Sequence, residues 1–221
     1  MATLERFFLE PLSTVTHLVA GIFSLAGLGF LLLLTRHEPE KMLSLLVYGV
    51  SLILLFAAST LLHGIRAPDR VRMWFNRFDH MAIFFVIAGT YTPIVYNLFP
   101  HTWRRPILIF IWGVAAAGMA YKLTSARIHG FFNVSVYLIL SWGGVVPLLL
   151  ALQLAPILAR AGLGLLLLGG LIYTSGFVVY YLERPDPWPR VFGHHEIWHL
   201  FVIGGSLCHY LFMLLYVVPA A

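Results

Sequence analysis

Charge is scarce in this sequence. Only 10% of its 221 residues are Asp, Glu, Lys or Arg, where a soluble domain carries about 25%. No long polar domain is left, and no basic run interleaved with aromatics, so nucleic-acid binding has no surface to occupy. Acids are the rarer sign, 9 against 14 Lys and Arg. The sequence pI of about 9.6 then reflects few acids and basic loops, as is usual in membrane proteins. Cysteine is nearly absent as well. Cys208 stands alone, which excludes an internal disulfide and a thiolate-rich zinc site. Any metal must be held by His and carboxylates. Repeats and low-complexity tracts are lacking. So is a positive leader: Met1 to Pro11 carries Glu5 and Glu10 beside Arg6. That is a poor start for a cleaved signal, and the first apolar run is expected to stay as the first helix.

What the chain has is long apolar runs. Hydrophobic residues make up 60%, and the mean hydropathy is +0.88. A membrane-crossing helix needs about 20 apolar residues. Seven stretches qualify or nearly do: Val15 to Leu34, Met42 to His63, Asp79 to Phe99, Pro106 to Leu123, Phe131 to Leu152, Ile157 to Leu182 and His195 to Val218. The expected fold is an all-α membrane protein, one seven-helix transmembrane domain over residues 1–221. Orientation follows from Lys and Arg in the loops. With the N-terminus in the cytoplasm, Arg6, Arg66, Arg70, Arg72, Arg77, Lys122, Arg127, Arg184 and Arg190 lie inside. Arg36, Lys41, Arg104, Arg105 and Arg160 lie outside. The balance favours N-terminus in, C-terminus out. Trp74, Trp103, Trp188 and Trp198 fall near span ends, where interfacial Trp belongs. Gly113 with Ala117, and Ala116 with Ala120, offer small residues for close helix approach. Pro93 and Pro147 sit inside spans as potential kinks.

Ionisable residues inside a membrane are costly, so their placement carries information. In this topology His17, His63, Asp79, His80, His194, His195 and His199 share one face, at the ends of four spans. His37 and His101 fall in the opposite loops. The last span opens on His195-Glu196-Ile197-Trp198-His199, an H-E-x-x-H pattern that in a soluble protein indicates a zinc protease. Residues four apart share a helix face, so His195 and His199 can point at one ion, and Ser59 lies on the face of His63. Three imidazoles on two helices, with Asp79 on a third, match a catalytic zinc with three protein ligands and one water. The nitrogen and oxygen donors suit zinc without excluding other first-row metals. Each residue also has an ordinary reading. A His near a helix end can be interfacial, Asp79 can cap a helix, and Glu196 can be a first-turn acid favoured by the helix dipole.

Taken together, "STVTHLVAG" at 13–21, "STLLH" at 59–63, "FDHMAIFFVIAGTYTP" at 78–93 and "GHHEIWHLFVIGGSLCHY" at 193–210 resemble the hemolysin III proteins. These are the bacterial branch of the progestin and adipoQ receptor family, which includes the adiponectin receptors and is remotely similar to alkaline ceramidases. The resemblance implies a seven-helix bundle with the N-terminus inside, in a bacterial cytoplasmic membrane. It implies zinc held by His63, His195 and His199, with Asp79 reaching the ion through water as general acid and base, and Ser59 in an outer or substrate-contacting position. Many members carry Asn four residues before the first-helix His, where this chain has Ser13 before His17. Intramembrane zinc proteases place a further Asp ligand on a later helix. No span follows this one, so Glu196 is not expected to act as a protease base.

Three functions are compatible with this reading. One is zinc-dependent hydrolysis of lipid amides or esters, with membrane lipids as partners and no nucleic acid. Another is a non-enzymatic sensor or receptor-like protein of membrane homeostasis with structural zinc. The third is membrane perturbation in the manner of a hemolysin, though no separable amphipathic segment supports it. The roles of His17 and His209 are left open by the sequence.

Overall fold

The computed structural model describes residues 8–125, 131–143, 159–189 and 191–220. Seven α-helices are found there: α1 Pro11–Leu34, α2 Pro39–Gly64, α3 Asp69–Leu98, α4 His101–Thr124, α5 Phe131–Gly143, α6 Ala159–Leu182 and α7 His194–Phe212. A π-helical turn, Met213–Val217, continues α7. Among the described residues there is no β-strand beyond one isolated bridge, Trp188 to Phe192. Six helices are long and apolar enough to cross a membrane. The second half of the fifth expected span, Pro147 included, lies outside the described residues.

Prolines place the helix starts. Pro11 and Pro39 occupy the first turns of α1 and α2, where their missing N–H costs nothing. Pro68 and Pro100 immediately precede α3 and α4. Several helices therefore begin before their apolar runs do. The largest difference is at α3, which starts at Asp69 rather than Asp79. The polar turns Asp69 to Phe78 are helical, and Asp79 sits well inside the helix. It therefore does not cap it. Pro93 also lies within α3.

Successive helices α1 to α4 pack side by side, α6 packs on α7, and α7 returns against α1. Leu31, Leu45, Tyr48, Phe56, Val95 and Met213 form the shared centre of α1, α2, α3 and α7. The outside is also apolar: Phe23, Ile109, Phe110 and Ile139 are each at least 67% exposed. A surface this greasy has lipid as its solvent, so the protein is an integral membrane protein. Inside the helices, Thr16, Ser24, Thr60, Thr90 and Thr92 donate to carbonyls one turn back, which satisfies their hydroxyls without water. Two buried cations finish helix ends. Lys41 donates to the Val218 and Ala220 carbonyls behind α7. Arg77 donates to the Lys122, Leu123 and Ser125 carbonyls at the end of α4.

Small residues give close approach, though not where the sequence pattern placed it. Gly113, Ala116, Ala117 and Ala120 are exposed, and nothing lies near Gly113. The tight contact on α4 is Gly118, where an added Cβ would meet the Phe84 ring at 2.3 Å. Between α6 and α7, Gly205 lies under the Tyr173 ring, 2.6 Å from where a Cβ would sit. Two facing helices can only come this close where one has no side chain.

Candidate metal centre

The end of α2, the start of α7, the first turns of α1 and the third turn of α3 meet at one end of the bundle. His63 is in the last turn of α2. His195 and His199 are one turn apart at the start of α7. Each of the three offers a ring nitrogen, and these atoms lie within 4.8 Å of one another. The ring centroids form a near-equilateral triangle, with separations of 4.8, 4.9 and 4.7 Å. His63 Nε2 and His195 Nε2 are 3.3 Å apart. Two nitrogens bound at about 2.0–2.1 Å to a tetrahedral ion would be separated by about 3.3 Å, so the spacing fits one ion between them.

The surroundings also fit. A ligating His normally gives its remote N–H to an acceptor. His63 Nδ1 lies 2.6 Å from Glu10 Oε2, and a carboxylate can only accept, so Nδ1 carries the proton and Nε2 faces the triad. That hydrogen bond holds the Glu10 carboxyl below its ordinary value, against the opposing effect of burial. Arg72 approaches the other Glu10 oxygen at 3.4 Å. His199 Nδ1 and His17 Nε2 are buried without a hydrogen-bond partner, a costly state for ring nitrogens unless a further group satisfies them.

Asp79 and Ser59 lie beside the triad. Ser59 is buried one turn before His63. Asp79 faces Ser59 and His63, with its side chain 18% exposed. His80 is outside the triad but on the same cavity wall; its Nδ1 is 2.9 Å from the Asn76 carbonyl and 3.8 Å from Asp79 Oδ2. His194 lies near the Tyr180 ring, outside the triad. His209 lies ten residues beyond His199 and lines the deep end of the cavity described below.

The first helix contributes more than its sequence announced. His17 stacks on His199, with centroids 3.7 Å apart and an interplanar angle of 10°. Its Nδ1 is 2.7 Å from Ser59 Oγ. Ser13 Oγ donates to Glu196 Oε1 at 2.9 Å, and the Gly193 N–H donates to Glu196 Oε2 at 2.8 Å. Both Glu196 oxygens are thus occupied in closing the start of α7 and binding it to α1. This is a capping arrangement, which accounts for Glu196 without a role as a base. Glu10 and Ser13 were given no role by the sequence and that of His17 was left open, because each depends on where α1 and the chain before it meet the ends of α2 and α7.

The triad opens onto a cavity of about 820 Å³ that also reaches Asp79 and Tyr173, a size within the range of ligand pockets. Its walls are mainly apolar, with Leu55, Ile83, Val86, Ile94 and Phe177 among them.

The family model described as "Haemolysin-III related" matches residues 6–210. The chain is 33% identical to "Hemolysin-3" of Bacillus cereus, over 100% of this chain and 98% of that protein. It is 31% identical to the "Hemolysin-3 homolog" of Bacillus subtilis (strain 168), over 95% and 94%. It is 29% identical to the human "Monocyte to macrophage differentiation factor", over 88% and 79%. The chain belongs to the hemolysin III family.

Proposed function

We propose that this protein is a zinc-dependent hydrolase of amide or ester bonds in membrane lipids, with the ion held by His63, His195 and His199. The observation that carries this reading is that the imidazole triad and Asp79 open on the same large apolar cavity. A hydrolytic site for a lipid needs a polar reacting end and an apolar channel for the chain. The loop cations support an N-terminus in the cytoplasm, which would set the site at the cytoplasmic end of one seven-helix domain. Full-length similarity to Bacillus proteins supports a bacterial cytoplasmic membrane.

Zinc bound there would supply Lewis acidity, polarising a carbonyl and lowering the pKa of water to about 7. The side chains of the site do the rest. The cavity wall takes the hydrocarbon part of the substrate and aligns its carbonyl. Asp79 accepts a proton from the attacking water and returns it to the departing amine or alcohol, so the proton balance closes within the site. With Nδ1 protonated, His17 donates to Ser59. The Ser59 hydroxyl then has its own proton for Asp79 or for the developing oxyanion.

The test is Asp79→Asn in purified protein supplied with lipid amides and esters. Turnover should fall about 100-fold or more, with metal content unchanged. Full hydrolysis by the variant would contradict the proton-transfer role. A second reading draws on the fact that the triad joins the end of α2 to the start of α7. A metal there would be a clip in a non-enzymatic sensor of membrane state. In that case chelation lowers the melting temperature, and no lipid in the panel is turned over.

A further inference from the structure

Glu10 is joined to the metal cluster by geometry that the sequence pattern did not point to. The last carbonyls of a helix have no partner within it. At the end of α2 they are taken up by the chain before α1: the Glu10 N–H donates to the His63 carbonyl at 2.9 Å, and the Leu9 N–H to the Gly64 carbonyl at 3.3 Å. On its other side, the Glu10 carbonyl accepts from the Thr14 N–H at 3.0 Å and from Thr14 Oγ1 at 2.7 Å. The Glu10 backbone is therefore fixed in register with His63 before its side chain does anything. From that position the carboxylate reaches His63 Nδ1 at 2.6 Å.

We propose that Glu10 is a positioning residue for the metal centre, holding the His63 ring by accepting its Nδ1–H so that Nε2 is presented to the ion. This rests on the reading of the triad as a metal site. A hydrogen-bonded carboxylate fixes the tautomer and orientation of a ligating imidazole and raises its basicity. His63 gains most from this, because it comes from α2 while the other two ligands share α7. The competing role for Glu10 is an ion pair with Arg72. That contact is longer, at 3.4 Å, and both side chains are more than a third exposed, so it contributes little.

The experiment compares wild type, Glu10→Gln, Glu10→Ala and Arg72→Gln, each purified free of metal. Zinc and cobalt affinities are measured by competition with a chelator, and melting temperatures are recorded with and without metal. Loss of such an outer carboxylate costs about 10–100-fold in metal affinity. Glu10→Ala is expected in that range. Glu10→Gln, which keeps an acceptor without the charge, is expected between it and wild type. Arg72→Gln should bind metal like wild type, and the metal-free Glu10 variants should melt like metal-free wild type. Wild-type affinity in both Glu10 variants overturns the proposal, and so does an equal loss in Arg72→Gln. If Glu10→Ala does not fold, Glu10→Gln decides on the same criterion. A wild type that takes up neither ion overturns the metal site itself, an outcome distinct from the failure of Glu10 alone.

Discussion

Within the stretch His195 to His199, neighbouring side chains part company. Two imidazoles turn toward His63, while Glu196 turns back to Ser13 and the Gly193 N–H. The two His of the H-E-x-x-H pattern are thus placed to hold an ion with His63, while its Glu closes the start of α7. Glu196→Gln keeps an acceptor for the Gly193 N–H and should retain metal and lipid turnover, with a stability loss of about 1 kcal/mol or less. Thermal melts with metal analysis check this. A complete loss of turnover with metal still bound would return Glu196 to the chemistry. The pairing of His195 with His199 was legible because i and i+4 spacing on a helix needs no tertiary knowledge. Glu10 was not, since its role depends on where the chain before α1 crosses the end of α2. In the sequence it reads only as an acid near the N-terminus.

At the scale of elements, apolar runs located the helices and prolines set their starts. The miss at α3 has a physical reason. Residues Asp69 to Phe78 are too polar for a hydropathy window, yet nothing in them breaks a helix, so the helix runs on past the apolar region. Buried cations at helix ends were equally hidden, because Lys41 and Arg77 look like loop charges until the carbonyls they serve are known. Lys41→Met removes the donor to the Val218 and Ala220 carbonyls and the 2.5 Å ion pair with Glu38. Hydrogen bonds to a charged group are worth about 1.5–3 kcal/mol. The variant should lower the melting temperature and free the end of α7, seen as faster amide exchange there. Unchanged exchange would argue that the tie is idle. Gly205→Val tests the α6–α7 contact: its Cβ would enter the space of the Tyr173 ring, with an expected cost of about 1–3 kcal/mol from overpacking. Wild-type stability would mean that Tyr173 yields without cost.

Across the whole molecule, a greasy exterior, a polar end and an apolar cavity beneath it define what the bundle can do. Membrane class followed from composition. The convergence of His63, Asp79, His195 and His199 was expected from counting spans, since an even number of expected crossings, none and four, separates the end of α2 from the starts of α3 and α7. The cavity had no sequence signature, because its walls are ordinary Leu, Ile, Val and Phe until the helices are assembled. Hydrolysis, sensing and metal retention all depend on one claim, that the triad binds an ion. The most direct measurement is the metal content of detergent-purified protein by elemental analysis, wild type beside His63→Ala. The account predicts about one zinc per chain in the wild type, as a three-His site requires, and its loss in a variant that still folds. A well-folded wild type, purified without chelator and carrying no metal, would contradict it.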